Sequence, residues 1–187
     1  MIENYGIILL GGFMNCFNIN DKLYKISDNY NFSRSAWVEP LDKDTKLLIL
    51  DYTIMWNMVE HQVYGDAFNK NGKTEKCIEN VVNAENANEK VDYVYNLFKE
   101  YISKYQSVEE LYEGFMFEKS RINITLIKEL IDSNELKDKL KLLIYSCYRV
   151  RCNLFHGPKC IAYLDDQKLL FLSMNELLSL ISKAYGM

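Results

Sequence analysis

Apolar residues recur at helical spacing along most of the chain, and the clearest stripe lies between about residues 135 and 155. Its members alternate in steps of four and three: Leu136, Leu140, Leu143, Cys147, Val150 and Leu154. Because these six positions fall within a narrow arc of a helical wheel, the pattern predicts a core helix that buries them. The Gly157-Pro158 pair is a stop signal that ends this helix.

The same periodicity predicts helices from about 45 to 64, from about 89 to 105, and from about 107 to 131. Gly65 ends the first of them. The last should break near Gly114.

Two other local signals refine the helix boundaries. Ser107-x-x-Glu110 is a capping box that opens the helix after residue 106. Residues 66–88 are polar and contain a turn signal, so we expect mainly a loop there, with room for one short helix.

The two ends of the chain are harder to assign. Residues 1–44 combine an apolar run at 6–12, which could be a short strand or the start of a helix, with a polar, Asn-rich stretch at 18–35. We expect them to form a lead-in that packs on a bundle made by residues 45–187. Near the other end, residues 161–164 and 169–172 could pair as a β-hairpin, and a helix from near Asp165 is the alternative. A second capping box, Ser173-x-x-Glu176, favours a terminal helix from about 174 to 184.

Composition supports a helical protein. Eight Gly and two Pro among 187 residues are few for a β protein with many tight turns. An apolar fraction of 49% argues against a disordered chain. No uninterrupted apolar run is long enough to span a membrane, and the N-terminal apolar run lacks the basic residues of a signal peptide. With five scattered cysteines, we expect a cytoplasmic protein with reduced thiols and no membrane contact.

Charge is distributed unevenly. A net charge of −4 argues against a generic DNA-coating protein. Residues 137–159, however, contain six Lys or Arg and one acidic residue. This segment therefore predicts a local attraction for phosphate at the end of the core helix.

The most informative stretch is YRVRCNLFHGPK, residues 148–159. It resembles the signature of the HEPN superfamily, in which an Arg precedes a His by four to six intervening residues at the end of a long helix. Four residues separate Arg151 from His156, and six separate Arg149 from it. The glycine after the His, with Lys159 two positions further on, resembles a His-Gly-x-Lys variant of that motif.

The resemblance implies an all-α, HEPN-like helical bundle that dimerises and, in many members, cleaves RNA without a metal or another cofactor. It implies Arg151, His156 and Asn153 as catalytic residues. Arg149 and Lys159 are candidate substrate-binding residues. Tyr148 is another, since it and Tyr145 are the aromatic residues close enough to the motif to contact RNA. RNA is then the expected substrate, a homodimer the expected assembly, and a cognate antitoxin or other protein partner a further expectation.

The chemistry fits these residue types. A histidine can take or give a proton at neutral pH, and two copies across a dimer would supply both a base and an acid. An arginine can hold the oxygens of a phosphorane by charge-assisted hydrogen bonds. Asn153 could orient the imidazole or contact phosphate. Glu60, in a stretch that resembles the first bundle helix of HEPN proteins together with Trp56, could reach Arg149 or Arg151 from a neighbouring helix.

Which arginine pairs with the histidine stays open. At about 100° per residue, Arg149, Asn153 and His156 share one face, whereas Arg151 lies about 140° from His156. A helix that stays regular favours Arg149, and one that unwinds near Phe155 favours Arg151. The family spacing favours Arg151.

Three functions are compatible with the sequence. The first is a metal-independent endoribonuclease of toxin or antiviral-defence type. The second is a catalytically inactive HEPN-like module that binds RNA or a protein partner, and the third is a scaffold domain. Two His and no Cys-x2-Cys pair argue against a zinc site.

Overall fold

A computed structural model describes residues 41–65, 68, 72–156 and 164–187, and the predicted lead-in lies almost entirely outside them. These residues form seven α-helices and no strand. The helices are α1 (Lys43–Val59), α2 (Lys73–Val82), α3 (Ala87–Ile102), α4 (Val108–Phe115), α5 (Ile124–Asp132), α6 (Leu136–His156) and α7 (Lys168–Ala184). The prediction of an all-α bundle is confirmed.

Helix α7 is the packing centre of the bundle. Helices α1 and α3 lie along it, while α6 packs against α2, α3 and α5 and also contacts α7. The side of α7 that meets these neighbours is apolar, and Phe171, Met174, Leu177 and Leu178 are fully buried on it. Burial of this apolar surface is the main force that holds the helices together.

The middle of α6 is buried on more sides than its apolar stripe predicted. Of the predicted stripe, the four middle residues are buried and the two end residues are half-buried. Leu142, Ile144 and Tyr145, which lie off the stripe, are also buried. The reason is that α2, α3 and α5 cover α6 from several directions, so the helix has little solvent face in its middle.

Helix α1 buries Tyr52, Trp56 and Val59 and continues into a π-helical turn, Glu60–Tyr64. Gly65 ends this turn with a left-handed backbone (φ 56°), as the sequence predicted. A π-helical turn holds an extra residue and shifts the side chains that follow it. Here it begins at Glu60, which becomes important for the candidate site.

The boundaries around α4 are partly as predicted. The Ser107 hydroxyl accepts a hydrogen bond from the Glu110 N–H (3.1 Å), which confirms the N-cap. The helix ends at Phe115, and the residue that follows it, Met116, has a left-handed backbone two residues after the predicted break. Gly114 remains helical, and a Cβ atom there would lie 2.8 Å from the Tyr105 ring. Close approach of that ring, and not a helix break, is therefore what favours glycine.

The C-terminal segment is helical and does not form the hairpin. A 3₁₀ turn at Asp165–Gln167 leads directly into α7, so residues 169–172 are helical. The alternative in the sequence analysis, a helix that begins near Asp165, is therefore the one observed. Ser173 is fully buried inside α7, and the cap predicted there is wrong because the helix starts before it.

Asp42 connects the start of α1 to the start of α7. Its carboxylate accepts hydrogen bonds from the N–H groups of Asp44 (2.8 Å) and Thr45 (3.1 Å) and contacts the Lys168 ammonium. The Lys168 contact, followed by these backbone bonds, holds the pKa of Asp42 well below its ordinary value. The ionised form is therefore stabilised in the folded protein.

We expect Asp42→Asn to lower the melting temperature at neutral pH, with a deficit that shrinks as the pH falls below about 4. A group whose pKa is depressed on folding contributes stability above its unfolded pKa, and that contribution is lost as the pH falls through the folded pKa. Thermal melts across this pH range provide the check, with Asp44→Asn as the control. A deficit that is the same at every pH would contradict the assignment.

Candidate functional site

The candidate site lies at the C-terminal end of α6, where residues 148–156 face the end of α4 and the π-helical turn after α1. The helix is regular through His156, its last residue. The side chain of His156, the Gly157-Pro158 stop signal and Lys159 lie outside the described part of the protein. A regular helix places Arg149, and not Arg151, on the side of α6 that carries His156. Because the His156 side chain is outside the described residues, which arginine contacts it stays a prediction.

Arg149 is inside the protein, with 4% of its surface exposed. Its Nε donates to the Phe115 carbonyl (2.9 Å), Nη1 donates to the Ser120 hydroxyl (2.9 Å), and Nη2 donates to Asn153 Oδ1 (2.8 Å). Phe115 is the last residue of α4, so its carbonyl lacks a partner within the helix and lies at the negative end of the helix dipole. That position favours a buried cation.

Asn153 completes the same network. It is also 4% exposed, and its Nδ2 donates to the Phe115 carbonyl (3.2 Å) while its Oδ1 accepts from Arg149. We call Arg149, Asn153, Ser120 and the Phe115 carbonyl the Arg149 clasp. It fastens the last turns of α6 to the end of α4, so the guanidinium and the amide predicted to contact RNA make their hydrogen bonds inside the protein.

Arg151 lies on another side of α6 and is more accessible. Its Nη2 is 3.5 Å from Glu60 Oε2, and 27% of the Arg151 side chain is exposed against 17% of Glu60. The same Glu60 oxygen accepts a hydrogen bond from the Trp56 indole N–H (2.8 Å). The expectation that Glu60 reaches an arginine from a neighbouring helix is confirmed for Arg151. Trp56 and Glu60 therefore restrict where the Arg151 guanidinium lies.

Aromatic rings lie near this arginine on α6. Tyr148 is half-buried and stacks in parallel on Phe68, with ring centroids 4.0 Å apart, and it also lies near Trp56. Burial, with the neighbouring Cys152 thiol, raises the pKa of the Tyr148 hydroxyl, so it stays protonated at neutral pH. The Phe155 ring centroid is 5.8 Å from the Arg151 guanidinium carbon. The sequence analysis singled out Tyr148 and missed Phe155, whose signal was its position four residues after Arg151.

No protein-family model, no curated protein and no solved structure matches this chain. The resemblance to HEPN proteins therefore stays a prediction that rests on the residues of α6 and α1.

Much of the positive charge that the sequence carries along residues 137–159 is paired within the protein. Lys139 lies 2.8 Å from an Asp92 oxygen and Lys141 lies 3.8 Å from a Glu75 oxygen. Arg151 pairs with Glu60, and Arg149 is buried. A count of charges along the sequence cannot include carboxylates that other helices bring to α6, so the attraction for phosphate is weaker and more local than the segment's charge predicted.

The described ranges contain no group of three or more His, Cys, Asp or Glu side chains arranged to hold a metal ion. None of the helices in them combines the length and apolarity needed to cross a membrane.

Among the described residues, Arg151 is a candidate for binding an anion. Its side chain is partly exposed, and its guanidinium is held against a carboxylate that is itself hydrogen-bonded. A guanidinium held in this way can donate paired, charge-assisted hydrogen bonds to a phosphate with little loss of conformational entropy.

Proposed function

We propose that the protein is an HEPN-like, metal-independent endoribonuclease of toxin or defence type that acts as a homodimer. The observation that most supports this is the placement of Arg151. It lies at the end of the core helix, four intervening residues before His156, partly exposed and held by the Glu60 carboxylate of a separate element.

The reaction needs one proton removed and one supplied. The 2′-hydroxyl loses its proton to a histidine and its oxygen attacks the adjacent phosphorus, while the bond from phosphorus to the leaving 5′-oxygen breaks. A second histidine protonates that 5′-oxygen, so the products carry a 2′,3′-cyclic phosphate and a 5′-hydroxyl. Because one His156 cannot hold both protonation states in one turnover, a second copy of the chain supplies the other.

Arg151 acts on the phosphorane. Negative charge increases on its equatorial oxygens, and a guanidinium already in position stabilises that charge without reorganising. Glu60 and Trp56 are positioning residues in this scheme. Arg149 and Asn153 position the end of α6 through the Arg149 clasp, and Lys159 and Tyr148 remain candidates for substrate contact.

A second candidate is a module that binds RNA or a protein partner and does not cleave RNA. The burial of Arg149 and Asn153 favours it, because two of the residues implied as site residues have their hydrogen bonds satisfied internally. Binding through Arg151 alone needs no acid or base.

We expect Arg151→Ala to lower kcat for cleavage of single-stranded RNA by about 10²- to 10³-fold, since removal of one charge-stabilising donor typically costs this much. Arg151→Lys should recover only part of the rate, because an ammonium cannot donate the paired bonds of a guanidinium. The assay is cleavage of end-labelled RNA in the presence of EDTA.

Lys137→Ala is the matched control, because Lys137 is an exposed cation at the opposite end of α6 and its loss should leave the rate nearly unchanged. Equal losses in the two variants would mean that Arg151 contributes only general charge. RNA that wild-type protein binds and leaves intact would support the second candidate instead.

A further inference from the structure

Phe155 is an unusual surface residue. In the described residues, the exposed large apolar side chains are Phe155, at 49%, and Tyr93, at 53%. Tyr93 carries a hydroxyl that water can solvate, whereas the Phe155 ring has no polar atom. Its exposure gives up the favourable free energy that burial of an apolar ring contributes to folding.

The surroundings of Phe155 are cationic and aromatic. Arg151 lies one helical turn before it, with its guanidinium carbon 5.8 Å from the ring centroid. Tyr148 lies seven residues before Phe155, so both rings fall on the same face of α6 about two turns apart. The Tyr148 ring is fixed by its parallel stack on Phe68. This face therefore carries a ring, a guanidinium and a second ring in order.

A cation beside an exposed aromatic ring favours a ligand that has both an anionic group and a flat apolar face. A purely apolar partner would cover Phe155 and would also have to desolvate the Arg151–Glu60 pair, which is costly. A nucleotide has an anion for the guanidinium and a flat π-face for the ring, joined by one sugar. The separation of the two groups on α6 is comparable to the reach from a phosphate to the base of the same nucleotide.

We infer that Phe155 is a base-stacking residue, on which an unpaired nucleobase lies while Arg151 binds the adjacent phosphate. This inference rests on the proposed function, since it takes RNA as the ligand of the same site. A base must leave its duplex partner to stack in this way, so Phe155 favours RNA with unpaired nucleotides.

The test uses the wild-type chain and an RNA probe of about a dozen nucleotides, within the usual site size for single-stranded binding. The probe carries 2′-O-methyl groups throughout, so it lacks the attacking hydroxyl and stays intact. Binding is followed by fluorescence anisotropy. We expect Phe155→Leu to weaken binding roughly ten- to a hundredfold and Phe155→Trp to keep it, because a leucine is apolar but offers no stacking face.

Two controls complete the design. Tyr93→Leu removes the other exposed ring, on α3, and should leave binding unchanged. A probe with abasic sites throughout should bind wild-type protein and Phe155→Leu equally, because neither complex then contains a stacked base. Sedimentation of each variant shows whether Phe155 instead contacts a second copy of the chain.

The outcomes separate this inference from the ribonuclease proposal. Three results would each overturn base stacking. They are loss of the dimer in Phe155→Leu, equal binding of wild type and Phe155→Leu to the intact probe, and no binding of the probe by wild type. Cleavage of unmodified RNA is measured separately. If Phe155→Leu cleaves RNA as fast as wild type, the nuclease proposal stands and base stacking does not. If wild type binds the probe through Phe155 but does not cleave RNA, base stacking stands and the nuclease proposal does not.

Discussion

We expect His156→Ala to lower the rate of RNA cleavage by about 10²- to 10⁴-fold, the usual cost of losing one group that transfers a proton in the transition state. The imidazole is the one side-chain type that both accepts and donates protons readily at neutral pH. Single-turnover cleavage of labelled RNA measures the effect.

A mixture of wild type and His156→Ala tests the composite site. If each turnover needs His156 from both copies, an equimolar mixture that has exchanged subunits should retain about a quarter of the wild-type activity, since only dimers with two intact histidines cleave. His61→Ala is the control for loss of a histidine outside the motif, since His61 is exposed in the π-helical turn after α1. Half of the wild-type activity in the mixture would mean that one copy is sufficient.

The second large effect concerns the Arg149 clasp. We expect Arg149→Ala to lower the free energy of unfolding by about 3 kcal/mol, because it leaves a space in the interior and removes the donor that Asn153 Oδ1 accepts from. Urea denaturation of purified protein measures the change. Arg151→Ala is the control and should cost less stability, since it removes one partly exposed ion pair with Glu60 at 3.5 Å and no buried hydrogen-bond network.

The two arginine variants should therefore lose different properties. Loss of Arg149 should chiefly reduce stability, and loss of Arg151 should chiefly reduce cleavage. An Arg149→Ala protein of wild-type stability that no longer cleaves RNA would show that Arg149, and not Arg151, acts on the substrate.

Much of the fold follows from local patterns in the sequence. The stripe of α6, the end of the first helical segment at Gly65 and the Ser107 cap depend on residues close together in the chain, and periodicity or capping chemistry predicts them. The start of α7 was less predictable. Ser173-x-x-Glu176 matches a capping box, yet the preceding apolar residues pack on α1 and α3, and this tertiary burial extends the helix toward its N-terminus.

The candidate site was predictable in its residues but not in their surroundings. A helical wheel places Arg149 and Asn153 together on a polar face, and they are together. It cannot show that this face meets the free carbonyl of Phe115 at the end of α4. The sequence analysis expected Glu60 to reach Arg149 or Arg151, but the choice of Arg151 depends on how α1 packs and on a π-helical turn that no local pattern predicts.

The chemical nature of the cleaved ends tests the ribonuclease proposal most directly. RNA is incubated with the wild-type protein in EDTA, and the termini of the products are analysed by mass spectrometry. We expect a 2′,3′-cyclic phosphate on one fragment and a 5′-hydroxyl on the other, because the neighbouring 2′-oxygen is the attacking group. Fragments with a 3′-hydroxyl and a 5′-phosphate, or cleavage that stops when EDTA is added, would contradict a metal-independent reaction at Arg151 and His156.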